Sequence, residues 1–142
     1  MVDRTHDDEA LRSLLATPRR IAVVGASPNP SRDSHRVFRF LLDHGHDVVP
    51  VNPVADEVAG VACVPSLAAA RDHWGAPPDI VDVFRASEHV PSILEESLAV
   101  NATWLWLQLG VLHEEARDQA IAAGMEVVMD RCIKVELARL VS

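Results

Sequence analysis

Tyrosine is absent from this sequence, which removes the phenol that an oxidoreductase could use as a proton donor. Cysteine is scarce: Cys63 and Cys132 stand far apart, and neither belongs to a C-x-x-C pair. A disulfide framework is therefore excluded, and two free thiols in a reducing, cytoplasmic compartment are expected. The start, MVDRTHDDEALR, is polar and acidic and lacks the apolar stretch of a secretory signal. No apolar run approaches the roughly 20 residues of a transmembrane helix. Positive charge is also short, with 13 Lys and Arg against 21 Asp and Glu, a net charge of −8. That balance argues against nucleic acid or an anionic membrane as partner, since both need a basic face. The seven histidines include no H-x-x-x-H, and no metal is expected. His44 and His46 flank Gly45 at a helix end, where contact with the macrodipole is the better reading.

What is present is a regular alternation of apolar and amphipathic segments. At 142 residues the chain suits one domain able to bury about 70% of the surface its unfolded form exposes. DDEALRSLLA reads as a short helix with Asp7 or Asp8 near its start and Pro18 just beyond its end. RIAVVGA is a nearly continuous apolar run, as expected for a strand covered on both faces. Val37, Phe38, Leu41 and Leu42 give the next segment a helical stripe, which Ser34 can cap and Gly45 can end. HDVVPVN is a strand in which Pro50 must fall where no ladder N–H is needed. GVACVP is a short strand, and Ser66 can cap the helix SLAAARD. PPDIVDVF and TWLWLQLG are strands, separated by a helix over about 87–99 in which Pro91 must lie in the first turn. HEEARDQAIAAG, MEVVMD and IKVELARL complete the pattern as helix, strand and helix. The sum is an α/β fold: a Rossmann-like, doubly wound parallel sheet of about five strands with helices on both faces.

Such sheets bind ligands outside the carboxyl ends of their strands. The first of those ends is IAVVGASPNPSRDSHR, where one glycine is followed by prolines, serines and arginines. Gly25 permits a tight turn, and the N–H groups of Ala26, Ser27 and the helix start can face an anion. Ser27 and Ser34 add hydroxyls, and Arg32, His35, Arg36 and Arg39 make a local positive cluster in an acidic chain. A rigid strand–helix turn with no ligand accounts for the loop equally well. A standard NAD site meets two objections. The second and third fingerprint glycines are replaced by Ser27 and Pro30, and the tip of the second strand carries Asn52-Pro53 where an acid would bind the ribose diol. A ligand that carries phosphate where NAD carries a free hydroxyl, as NADP and coenzyme A do, is the alternative, and Arg32 or Arg36 could pair with that phosphate.

Taken together, GASPNPSRDSHRV, VVPVNP, DIVDVFR, WLQLGV and DRCIKVE resemble the small stand-alone CoA-binding proteins. Their domain is similar to the CoA-binding domain of the succinyl-CoA synthetase α subunit and of ADP-forming acyl-CoA synthetases. The resemblance runs from about Arg20 to Leu140, and it implies a CoA-binding Rossmann-like domain over 20–142 preceded by an N-terminal helical extension over 1–19. It also implies that Gly25, Ala26 and Ser27 hold the pyrophosphate, with Ser34 and Arg36 near the CoA phosphates. Val51, Asn52 and Pro53 would line the adenosine. Phe84 and Arg85 would flank the nucleotide or the start of the pantetheine arm, and Gln108 and Gly110 would lie further along it.

Arg85 ends a strand and so faces the crevice; an ion pair with Glu88 is its competing explanation. Trp104 and Trp106 alternate onto one sheet face, where packing against helices is expected rather than base stacking. Cys132 follows the last strand beside Arg131 and Lys134, which favour a thiolate. It can serve as a small core residue or meet the thiol end of CoA in a mixed disulfide. No G-x-S-x-G elbow, Walker lysine or nucleophile–base spacing is present. The expectation is a protein that binds coenzyme A or an acyl-CoA without catalysis of its own, as a carrier, a sensor or a partner of an acyl-CoA enzyme. An NADP-dependent oxidoreductase and a ligand-free regulatory subunit are the alternatives.

Overall fold

The computed structural model describes residues 2–141. In chain order the elements are α1 (Asp8–Leu15), β1 (Arg20–Val24), α2 (Asp33–Asp43), β2 (Asp47–Val51), β3 (Glu57–Val58), β4 (Val61–Ala62) and α3 (Leu67–Trp74). They continue with β5 (Ile80–Val83), α4 (Val90–Ala99), β6 (Trp104–Leu107), α5 (Glu114–Ala122), β7 (Glu126–Val128) and α6 (Ile133–Leu140). Five strands pair in parallel in the order β2-β1-β5-β6-β7, a doubly wound, Rossmann-like α/β sheet.

Alternation along the strands decides which helices cover which face. Ile21, Val23, Ile80, Trp106 and Val128 form one core with Leu11, Leu14 and Leu15 of α1, Val37, Phe38 and Leu41 of α2, and Ile133 and Leu137 of α6. Ala22, Val24, Val81, Val83, Leu105 and Leu107 form the other with residues of α3, α4 and α5, among them Leu67, Ile93 and Ala116. Each fully buried Leu, Ile or Phe contributes roughly 1.5–3 kcal/mol of transfer free energy. Trp104 and Trp106 do share a face and pack there, and the Trp106 indole N–H donates to the Arg131 carbonyl at 2.9 Å.

Local chemistry sets the element ends. Asp7 caps α1 by accepting the Ala10 N–H, and Ser66 caps α3 by accepting that of Ala69. Gly45 follows α2 with φ +86°, the left-handed turn that ends a helix. A 3-10 turn at Ser87–His89 leads into α4, which holds Pro91 in its first turn. Pro50 lies in the edge strand β2, level with Val23. Part of the expected strand GVACVP leaves the sheet: β4 pairs antiparallel with β3 in a separate ribbon. Ala59 and Gly60, both at positive φ, make its turn. Just beyond β4, Val64 bridges Val51 and so covers the outer edge of β2.

At the opposite edge the N-terminal segment runs beside β7. The Arg4 N–H donates to the Val127 carbonyl at 2.7 Å, and the Val127 N–H donates to Val2 at 3.1 Å. α1 then packs on α6, where Arg139 holds Asp8 through two hydrogen bonds of 2.9 and 2.7 Å.

Candidate ligand cleft at the switch point

The strand order reverses at β1, which has β2 on one side and β5 on the other. The loops leaving β1 and β5 therefore part and open a crevice at the carboxyl end of the sheet. They also touch at its base. Gly25 has φ +86°, and a Cβ there would stand 2.4 Å from the Phe84 carbonyl oxygen and 2.9 Å from Cδ of Arg85. Backbone freedom and close approach both require glycine at this position.

The loop beyond Gly25 is tied down by its own polar side chains. The Ser27 N–H donates to Oγ of Ser34 at 3.1 Å, and the Asn29 N–H donates to Oγ of Ser27 at 3.1 Å. Nδ2 of Asn52 donates to the Ala26 carbonyl at 2.9 Å, while its Oδ1 accepts the N–H groups of Val54 and Ala55. Asn52 thus brackets the loops after β1 and β2 together. Ala26 is fully buried and supports the loop from below.

Two expectations change here. Ser34 does not cap α2: the N-cap is Arg32, which makes no side-chain cap bond, and the Ser34 hydroxyl is spent on Ser27. The N-terminus of this 11-residue helix is left uncapped at the cleft, and such a terminus favours an anion. His35 leaves the positive cluster. It is 4% exposed, its Nδ1 donates to the Ser27 carbonyl at 2.9 Å, and its Nε2 is buried without a partner among the described residues.

Three adjoining hollows run from the cleft along the carboxyl ends of the strands, the first two on the α2 and α6 side of the sheet. The first, of about 580 Å³, gathers Gly25, Ser27, Arg32, Ser34, Arg36 and Phe84. Arg36 and Phe84 also wall the second, about 340 Å³, with Gln108, Cys132 and Lys134. Cys132 also lines the third, about 430 Å³, at the ends of β6 and β7. Val51, Pro53 and Arg85 come together in a separate hollow of about 270 Å³ on the opposite face, beside Ser66 and His89. Gly110 lies in none of these; its N–H donates to Asp130 at 2.7 Å. Among the described residues Arg85 makes no ion pair; Glu88 faces His89 instead, at 3.9 Å. Arg36 pairs with Asp33, and its Nη1 donates to the Ser31 carbonyl at 2.8 Å. The Lys134 ammonium lies 5.3 Å from the centre of the Phe40 ring.

One feature was missed from the sequence: the Asp82–Gln108 pair. Asp82 is fully buried in the central strand β5, and Nε2 of Gln108 donates to its Oδ1. Its Oδ2 has no hydrogen-bond partner among the described residues. Burial pushes the Asp82 carboxyl up to about 8, against the opposing effect of the Gln108 hydrogen bond. The signal was one acid inside the apolar run IVDV.

Among the described residues no group of three His, Cys, Asp or Glu side chains could hold a metal ion, and no helix is long and apolar enough to cross a membrane.

An open parallel sheet with an uncapped helix and arginines at its switch point is an α/β build suited to a phosphate-bearing ligand. The chain belongs to the CoA binding domain family, which matches residues 19–138. It is 43% identical over 125 residues to the protein YneT of Bacillus subtilis (strain 168), covering 88% of this chain and 90% of that one. A solved structure of a hypothetical protein from Pyrococcus horikoshii OT3 superposes with a TM-score of 0.89 at 36% identity, over 100% of this chain and 99% of that one. Similarity also reaches the dinucleotide-forming acetyl-coenzyme A synthetase 1 of Ca. Korarchaeum cryptofilum, with a TM-score of 0.68 at 27% identity. That match covers 82% of this chain and 27% of the synthetase.

Proposed function

We propose that this protein binds coenzyme A across the carboxyl ends of the sheet and has no catalysis of its own, acting in the cytoplasm with an acyl-CoA enzyme. The observation that carries the reading is the uncapped N-terminus of α2, which meets Arg32, Arg36 and the serines of the β1 loop in one cleft. Backbone N–H groups and a helix dipole suit a pyrophosphate, and guanidinium forks suit a further phosphate. The adenosine then lies toward Val51 and Pro53, with Arg85 beside it. The pantetheine arm follows the second hollow past Phe84 and Gln108. With Nε2 of Gln108 committed to Asp82, its carbonyl oxygen is left to accept an amide N–H from the arm. Membership of the CoA binding domain family supports this assignment.

Thermal-shift titration with CoA, dephospho-CoA, NADP and NAD is the test, because a ligand of the native state raises Tm by mass action. Stabilisation by CoA, weaker with dephospho-CoA and weaker again in Arg36→Ala, is the expected result. A shift with NADP alone makes the protein a dinucleotide binder instead. No shift with any ligand leaves a regulatory subunit without one.

A further inference from the structure

We infer that the third hollow is an acyl chamber, so that the ligand is the CoA thioester of a neutral aliphatic acid rather than free CoA. The inference rests on the coenzyme A reading and extends it past the sulfur. Three inter-strand spacings, from β1 through β5 and β6 to β7, separate the phosphate loop from this hollow. At roughly 4.8 Å per strand the separation is about 14 Å, which suits an extended pantetheine arm. Cys132, Leu109 and Val135 line both the second and third hollows, so the two are immediate neighbours along the track of the arm.

Beyond that junction the lining divides into two kinds. Its charged groups are already engaged. Arg131 reaches Nδ1 of His6 at 2.8 Å and the buried Glu136 at 3.6 Å, and Arg117 reaches Asp118 at 3.0 Å. Asp130 accepts the Gly110 N–H, and Asp3 accepts that of Thr5. The apolar groups are not covered. Leu109 is 71% exposed, Leu112 50% and Val135 55%, and Met129 lies among them. A cluster of apolar side chains left in water at the end of a ligand track is what an aliphatic chain would cover. A dicarboxylic acyl group fits poorly, because the carboxylates of Asp3, Asp130 and Glu136 line the same hollow and outnumber its two arginines, Arg117 and Arg131.

The test is isothermal titration of the whole chain with CoA, butyryl-CoA, hexanoyl-CoA and succinyl-CoA, repeated on Leu112→Asp. Leu112 lines the third hollow but neither of the two it adjoins, and its half-exposed position makes the substitution compatible with folding. A fully buried methylene is worth about a fourfold gain in affinity. Hexanoyl-CoA is therefore expected to bind on the order of tenfold tighter than CoA, with butyryl-CoA between them and succinyl-CoA no tighter than CoA. In Leu112→Asp the hexanoyl gain should vanish while CoA affinity stays the same. CoA and hexanoyl-CoA of equal affinity would overturn the acyl chamber and leave CoA binding standing, as would a gain that survives Leu112→Asp. A gain for succinyl-CoA equal to that for hexanoyl-CoA would overturn the aliphatic class. Binding of none of the four would overturn the coenzyme A reading, and the chamber with it.

Discussion

The Phe84 carbonyl oxygen occupies the space beside Gly25 that any side chain would need, only 2.4 Å from an ideal Cβ. This approach locks the loop after β1 to the loop after β5 and fixes the width of the cleft. The glycine is thus demanded by the protein itself, before any ligand arrives. Gly25→Ala combines a left-handed backbone with a backbone clash, and stability should fall by about 2–4 kcal/mol. Urea unfolding measures it directly. A midpoint equal to the wild type would mean that the two loops can part freely.

Asp82 gives stability a pH dependence whose sign follows from its burial. Its folded-state value is raised from 3.8 to about 8, so the native protein holds a proton that the unfolded chain gives up. The stabilising contribution is complete below about pH 4 and is lost as pH rises toward 8. The slope is at most about 1.4 kcal/mol per pH unit. Asp82→Asn keeps an acceptor for Gln108 and removes the ionisation. It should be more stable than the wild type at pH 7, with a Tm advantage that widens between pH 4 and 8. Parallel Tm profiles for the two proteins would show that Asp82 does not titrate in this window.

Much of the architecture was legible because it rests on local rules. The apolar run at 20–24, the caps at Asp7 and Ser66 and the turn at Gly45 each specify their element within a few residues. The alternation of Trp104 and Trp106 placed both on one face. Non-local pairing was not legible. Nothing in VVPVN indicates that Asn52 reaches the Ala26 carbonyl, and nothing in GVACVP says that Val61 and Ala62 turn away from the sheet. Ser34 has the residue type and position of a cap, yet the Ser27 N–H claims its hydroxyl. His35 sits among arginines in sequence, but the helical period turns it inward while Arg32, Arg36 and Arg39 stay exposed. The candidate site residues were read mainly from strand ends. The structure gathers most of them into hollows on both faces of the sheet and leaves Ala26, Asn52 and Gly110 as supports outside those hollows.

Asp33 and Arg36 set a limit on how tightly the cleft holds phosphate. Their side chains pair one turn apart at the mouth of the cleft, with 83% of Asp33 and 51% of Arg36 exposed. An exposed pair of this kind is worth between 0 and about 1 kcal/mol, so a phosphate can draw Arg36 away at little cost. The Asp33 carboxylate remains at the helix N-terminus, however, and repels the incoming anion. Asp33→Asn removes that repulsion and releases Arg36. The CoA dissociation constant should fall several-fold at low ionic strength, with a smaller gain in 1 M salt, where screening extends to about 3 Å. The ligand-free variant should be slightly less stable, because an acid in the first turn supports the helix by about 0.3–1 kcal/mol. Arg36→Ala should move affinity the other way, by tenfold or more. Calorimetric titration of both variants at two salt concentrations separates the effects. If Arg36→Ala weakens binding and Asp33→Asn leaves it unchanged, the Asp33 carboxylate does not face the bound phosphate.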